Sequence, residues 1–134
     1  MAAPIFYIDT SEVREGHLEE LKTAMQGLAE FVDSNEPRLL GYNVYFNRDG
    51  TRMTVVHVHP DSASLEYHMK VAGSLFPRYA HLVRLLTIDV YGDPTDIVLE
   101  QLRNKAQTLG SASVGVHKLH TGVDRIPSLL SREV

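Results

Sequence analysis

The stretch from Leu39 to Gly73, LLGYNVYFNRDGTRMTVVHVHPDSASLEYHMKVAG, leaves little freedom to the chain that contains it. Leu40, Tyr42, Val44 and Phe46 fall on one face and Gly41, Asn43 and Tyr45 on the other, the period of two that a pleated strand imposes. Asp49-Gly50 then supplies a turn, because this pair tolerates the positive φ that hairpin connections require. With those two residues central, Phe46 lies opposite Met53, Val44 opposite Val55, Tyr42 opposite His57 and Leu40 opposite His59. One face of the hairpin is thus apolar near the turn and becomes Tyr and His at the far end. That gradient marks the candidate site.

His59-Pro60 ends the second hairpin strand, since proline has no N–H to give and holds its predecessor extended. Asp61 or Ser62 caps a helix in which Leu65, His68, Met69 and Ala72 share one face, with Gly73 as its stop. His68 therefore points the same way as the apolar residues.

Upstream, Ile5 to Thr10 alternates as a short strand. A helix follows from about Glu15, with Leu18, Leu21, Met25, Leu28 and Val32 recurring three and four apart until Asn35-Glu36-Pro37 ends it. Downstream, Pro77 suits the first turn of a short helix. Val83 to Tyr91 reads as a strand with Leu86, Ile88 and Val90 on one face and Leu85, Thr87 and Asp89 on the other. Thr95 to Thr108 reads as a helix with Ile97 or Val98, Leu102, Ala106 and Leu109 on one side, Gly110 as its stop, and Ser113 to His120 as a fifth strand.

This order is strand, helix, strand, strand, helix, strand, then a further helix and strand. It predicts an α+β, ferredoxin-like βαββαβ core over 5–92, a helix–strand extension over 93–122 and a tail over 123–134, its IPSLLSREV segment partly disordered unless a partner holds it, in a single domain spanning 1–134. Two helices cover one face of such a sheet, yet both faces carry apolar residues. A second copy's sheet is the expected cover, giving a homodimer. The extension can instead cover part of that face within the chain, or reach a partner's sheet edge.

Charge and motifs narrow the partners. A net charge of −4 with Lys and Arg scattered singly argues against nucleic acid. No stretch approaches the roughly 20 apolar residues that span a bilayer, so no membrane is expected. The absence of cysteine fits a reducing compartment, and the expected location is cytoplasmic. There is no glycine-rich phosphate loop, G-x-S-x-G elbow, H-E-x-x-H helix or dinucleotide fingerprint, which leaves kinase, hydrolase, metalloprotease and nicotinamide-enzyme readings without support.

Glu15-Gly16-His17 ahead of the long helix, Gly41-Tyr42 on the second strand, and His59-Pro60-Asp61-Ser62 running into a helix with His68 resemble the antibiotic biosynthesis monooxygenase-like domain of the dimeric α+β barrel superfamily. The resemblance covers about Ile5 to Gly92. It implies a homodimer and a cofactor-independent monooxygenase-like enzyme acting on a small aromatic or polycyclic molecule between sheet and helices. Other members degrade haem or act as small decarboxylases or isomerases. His59 stands where the resemblance expects an aromatic residue, commonly Trp. Against the haem-degrading members, Asp9 stands where an Asn is expected, there is no Trp, and only His81 is near the ligand position.

On this reading the expected catalytic residues are His68, as base or hydrogen-bond partner of a phenolic substrate, with Tyr42 and His57 stabilising charge on oxygen. Expected substrate-binding residues are His59, Tyr7, Arg78, Tyr79 and His81, with Arg78, Tyr79 and His81 on a lid. No metal or other cofactor is expected. His57 and His59, joined by His68 or Glu66, form the one arrangement that would argue otherwise. Each residue has a plainer alternative: a helix-interface histidine, a surface arginine, a solvated loop. Asp9 and Asp89 read as exposed carboxylates on outer strands, and His117 and His120 as structural. The competing function is a non-catalytic dimeric small-ligand-binding or stress-associated protein.

Overall fold

The computed structural model describes residues 3–126, so residues 127–134 of the expected tail lie outside the described residues. Its elements are β1 (Ile5–Val13), α1 (Leu18–Asn35), β2 (Gly41–Phe46), β3 (Arg52–His59), α2 (Ser62–Gly73), a 3-10 turn (Phe76–Tyr79), β4 (Val83–Tyr91), α3 (Asp96–Thr108) and β5 (Gly110–His117). The strands form one sheet in the order β2-β3-β1-β4-β5. β1 to β4 are antiparallel to their neighbours, and β5 runs parallel to β4. This is the α+β, ferredoxin-like order expected, with the extra helix and strand. Among the described residues no helix is long and apolar enough to cross a membrane.

The hairpin register is the one the alternation predicts: Tyr42 pairs with His57, Val44 with Val55 and Phe46 with Met53. Gly50 sits in the turn at φ +72°, a conformation that a side chain opposes. Asp61 caps α2, its Oδ1 accepting the Ser64 N–H at 2.9 Å, and Thr95 caps α3 in the same way through Val98 N–H. Gly73 falls within α2 rather than stopping it, and Ser74 leads into the 3-10 turn.

Two expectations are corrected. In β4 it is Leu85, not Leu86, that shares the buried face with Ile88 and Val90. Thr10 pairs with Thr87 but Ser11 with Leu85, so Leu86 is the extra residue of a β-bulge that resets the alternation. The fifth strand begins at Gly110, earlier than Ser113, and extends the sheet within the chain.

The extension does not roof the open face of the sheet. Val98, Leu102, Ala106 and Leu109 of α3 join Leu65, Met69, Ala72 and Phe76 in one apolar cluster over Ile5 and Tyr7, so α3 lies on the same face as α2. A second cluster joins Leu21, Met25, Leu28 and Val32 of α1 to Met53, Val55, Leu82 and Val83. On the helix-free face Phe6, Ile8, Val56 and Val58 stay partly exposed and Tyr45 is 56% exposed. Residues 118–124 lie beside Phe6 and Tyr91 at one corner of it, around a hollow of about 430 Å³.

Asp9, Ser11, His57, His59, His68, Glu36 and Lys105 are buried polar residues that belong to neither apolar cluster. A fully buried Leu or Ile stabilises a fold by about 2 kcal/mol, whereas a buried polar group costs free energy unless it is paired. This polar seam is therefore not explained by packing.

Candidate active site

The seam encloses a cavity of about 40 Å³, to which Asp9, Tyr42, His57, His68, Tyr79 and Lys105 contribute. Each water needs roughly 10–15 Å³ of such space, so the cavity in this state admits a few waters and no aromatic ring. A larger hollow of about 830 Å³ lies between the hairpin turn and the start of α1, but its polar lining residues, such as Glu15 and Asp49, are exposed to solvent.

His68 is carried by α2 and is 1% exposed. Its Nδ1 lies 2.8 and 2.9 Å from the two carboxylate oxygens of Glu36, which is itself 2% exposed at the side chain. A carboxylate accepts, so Nδ1 carries the proton and donates, and Nε2 is left as the nitrogen with a free lone pair when the ring is neutral. Glu36 is the residue that closes the C-terminus of α1, so the helix end delivers the carboxylate.

His57 donates from Nδ1 to the Tyr7 carbonyl oxygen at 2.9 Å and stacks on the Tyr7 ring at 4.0 Å. Burial, and next the neighbouring His68, push its pKa well below the ordinary histidine value, so the ring is neutral. Its remaining nitrogen therefore accepts hydrogen bonds and cannot donate one. This corrects the expectation that His57 stabilises negative charge on an oxygen. Tyr42 lies edge-on to His57 at 4.9 Å, and burial followed by the Asp9 charge pushes its pKa up, keeping its O–H a donor.

His59 lies one step further along β3, with Nδ1 2.8 Å from Ser64 Oγ and Nε2 buried without a partner among the described residues. Burial, and next His68, lower its pKa to about 3. Its ring centroid is 5.6 Å from that of His68, and it does not line the cavity. The His57 and His59 rings stack at 6.4 Å rather than converging, and among the described residues no group of three or more His, Asp or Glu is arranged to hold a metal.

The lid residues divide. Phe76 and Tyr79 are one turn of 3-10 helix apart and both close the cavity, whereas Arg78 points away and is exposed. His81 is exposed too, its Nε2 3.0 Å from Glu20 on α1. Neither Arg78 nor His81 reaches the site.

Three buried polar groups of the seam went unread in the sequence. Asp9 is not an exposed carboxylate on an outer strand. β1 is central, and Asp9 is buried with its Oδ2 2.9 Å from Lys105 Nζ. Lys105 also donates to the Tyr7 hydroxyl. Glu36 looked like part of a helix-ending signal. His117 bonds Asp89 at 2.8 Å and stacks on Tyr91 on the helix-free face, away from the cavity.

No protein-family model and no curated protein matches the sequence. Among solved structures, the chain is similar to MupZ from Pseudomonas fluorescens, with 26% identity, a TM-score of 0.74 and coverage of 96% of this chain and 94% of that one. A match of that extent takes in α3 and β5. SnoaB, a cofactor-independent oxygenase from Streptomyces nogalater, matches at 14% identity and TM-score 0.59, over 70% of this chain and 96% of that one. A candidate antibiotic biosynthesis monooxygenase from Deinococcus radiodurans matches at 17% identity and TM-score 0.57, over 68% of this chain and 93% of that one. The chain has the fold of the antibiotic biosynthesis monooxygenase-like proteins, enlarged by α3 and β5.

Proposed function

We propose that the chain is a cofactor-independent, monooxygenase-like enzyme acting on a small aromatic or polycyclic molecule between sheet and helices, and that it works as a homodimer. The observation that carries this reading is the buried Glu36–His68 pair opening onto a cavity inside the core. Beside it the cavity gathers Tyr42, pushed up, and His57, pushed down, and perturbed titratable groups at a cavity are a signature of acid–base chemistry. The shared fold of a cofactor-independent oxygenase supports the oxidative form of that chemistry, though fold alone does not fix a reaction.

In this reading His68 takes a proton from the substrate at Nε2, and Glu36 stabilises the imidazolium that results. The substrate anion supplies the electrons that reduce dioxygen. Tyr42 donates to the substrate oxygen, and His57 accepts from a substrate hydroxyl. Phe76 and Tyr79 swing away to admit the ring, since the closed cavity is too small for it. The partly exposed apolar residues of the helix-free face support pairing with a second copy, and the absence of cysteine agrees with a cytoplasmic location.

A non-catalytic small-ligand-binding or stress-associated dimer is the second reading, favoured by the small volume of the cavity. Incubating the protein with a panel of hydroxylated aromatics, in air and without it, separates the two. Oxygenation gives a product with one oxygen more and two hydrogens fewer, water carrying away the other oxygen atom. His68→Ala is expected to stop turnover and leave the dimer intact. Turnover unchanged by that substitution removes His68 from the mechanism, and none at all favours the second reading.

A further inference from the structure

We infer that Lys105, held in place by Asp9 and Tyr7, is the donor to a substrate oxygen that becomes negatively charged while His68 removes a proton, so that the ligand is a phenol or a carbonyl compound with an acidic C–H. This rests on the reading of the cavity as an active site.

Lys105 occupies an unexpected place for a lysine. The buried stripe of α3 runs Val98, Leu102, Ala106, Leu109, and Lys105 falls on it, 8% exposed. Its Nζ lies between the Phe76 ring at 4.6 Å and the Tyr7 ring at 4.9 Å. A leucine at this position would avoid the cost of burying a charge, which for an ion pair is of the same order as the attraction regained. Something other than stability accounts for the ammonium.

The geometry supplies it. An ammonium has three N–H donors. Among the described residues two go to Asp9 Oδ2 and the Tyr7 hydroxyl. Lys105 lines the cavity, where its third donor meets whatever enters. Asp9 balances the charge, so the site is set for a developing anion without binding anions indiscriminately. Burial, and next Asp9, push the Tyr7 pKa well up, so the phenol keeps its own proton and does not compete with the substrate oxygen for the negative charge. A preorganised donor in such a site is worth more than it is in water.

The step balances without an outside reagent. The C–H or O–H proton passes to His68 Nε2, and the bonding pair moves onto the substrate. For a carbonyl compound a C=C bond forms and the C=O π pair becomes a lone pair on oxygen, facing Lys105. For a phenol the pair stays on the oxygen.

The test uses 4-nitrophenol as the probe and nitrobenzene as the same ring without the hydroxyl. Both are titrated into the full chain across neutral pH, with the phenolate band as the readout. The ionisable groups facing the probe are Asp9, Tyr42, His57, His68, Tyr79 and Lys105. Bound nitrophenol is expected to ionise at lower pH than free. Lys105→Met, or Lys105→Gln should the first fail to fold, is expected to weaken phenolate binding about tenfold or more, one pKa unit, and to leave nitrobenzene unchanged. If the phenolate preference is absent, or survives in both lysine variants while nitrobenzene binds, the cavity is a site but Lys105 is not its oxyanion donor. If neither probe binds the wild type, the reading of the cavity itself falls.

Discussion

Glu36 closes α1 and holds its carboxylate 2.8 Å from Nδ1 of His68 on α2, with both side chains almost wholly withdrawn from solvent. Removing one member of such a pair leaves the other buried and unpaired, which costs about 3–5 kcal/mol. Glu36→Ala is therefore expected to lower stability by about that amount in urea denaturation. The double substitution with His68→Leu is expected to cost well under the sum of the singles, since neither group is then left stranded. Additive losses would mean that the two residues are not coupled.

Acid stability follows from His57 and His59. Both have pKa values lowered in the folded chain, His59 to about 3, and burial is the first cause for each. Below the unfolded value of about 6.5 the unfolded chain binds protons that the folded chain does not. Above pH 6.5 the two exact no penalty. As pH falls from there towards 3, His59 costs about 1.4 kcal/mol of stability per pH unit, and His57 adds a loss of the same sign. Denaturation midpoints measured at several pH values should fall through this window, and less steeply in His57→Gln. A flat profile there would show that the histidines are charged when folded.

The sequence made part of this site legible and hid the rest for physical reasons. A hairpin with period two and an Asp-Gly turn admits one register, so the Tyr42–His57 pairing followed, and helical spacing turned His68 inward. Glu36 was hidden because it sits beside Pro37, where helix-ending signals account for a polar residue. Asp9 depends on β1 being central, which only the assembled strand order determines. Lys105 did leave a signal, its place on the Val98, Leu102, Ala106, Leu109 stripe, but lysine is so rarely buried that the position reads as solvated. The bulge at Leu86 has no sequence mark, because leucine suits either face of an apolar strand.

Gly110 is the point at which α3 turns into β5, and it adopts φ +157°. A Cβ added there would lie 2.7 Å from the Leu85 backbone oxygen, and backbone cannot yield as a side chain tip would. This part of φ space costs a residue with a side chain of order 1–3 kcal/mol. Gly110→Ala is expected to destabilise by at least that much and to speed amide exchange in β5 before the β1–β3 core. Uniform exchange rates would argue that β5 and the core open together.

Ile8 and Val56 face one another across β1 and β3 on the side of the sheet that carries no helix. Neither α3 nor β5 covers them, since α3 lies with α2 on the opposite face. Water contact at such a patch costs about 25 cal/mol per Å² of apolar surface, so a second copy gains stability by covering it. Val56→Lys places a charge in the proposed interface, while in the lone chain the new ammonium remains in water. The substitution is expected to reduce the mass seen by light scattering from two chains to one and to leave the far-ultraviolet circular dichroism unchanged. Lysine at Val55, which points into the α1 cluster, should instead unfold the chain. A wild type that scatters as a monomer, or a Val56→Lys variant that remains a dimer, would mean that this face is not where two copies meet.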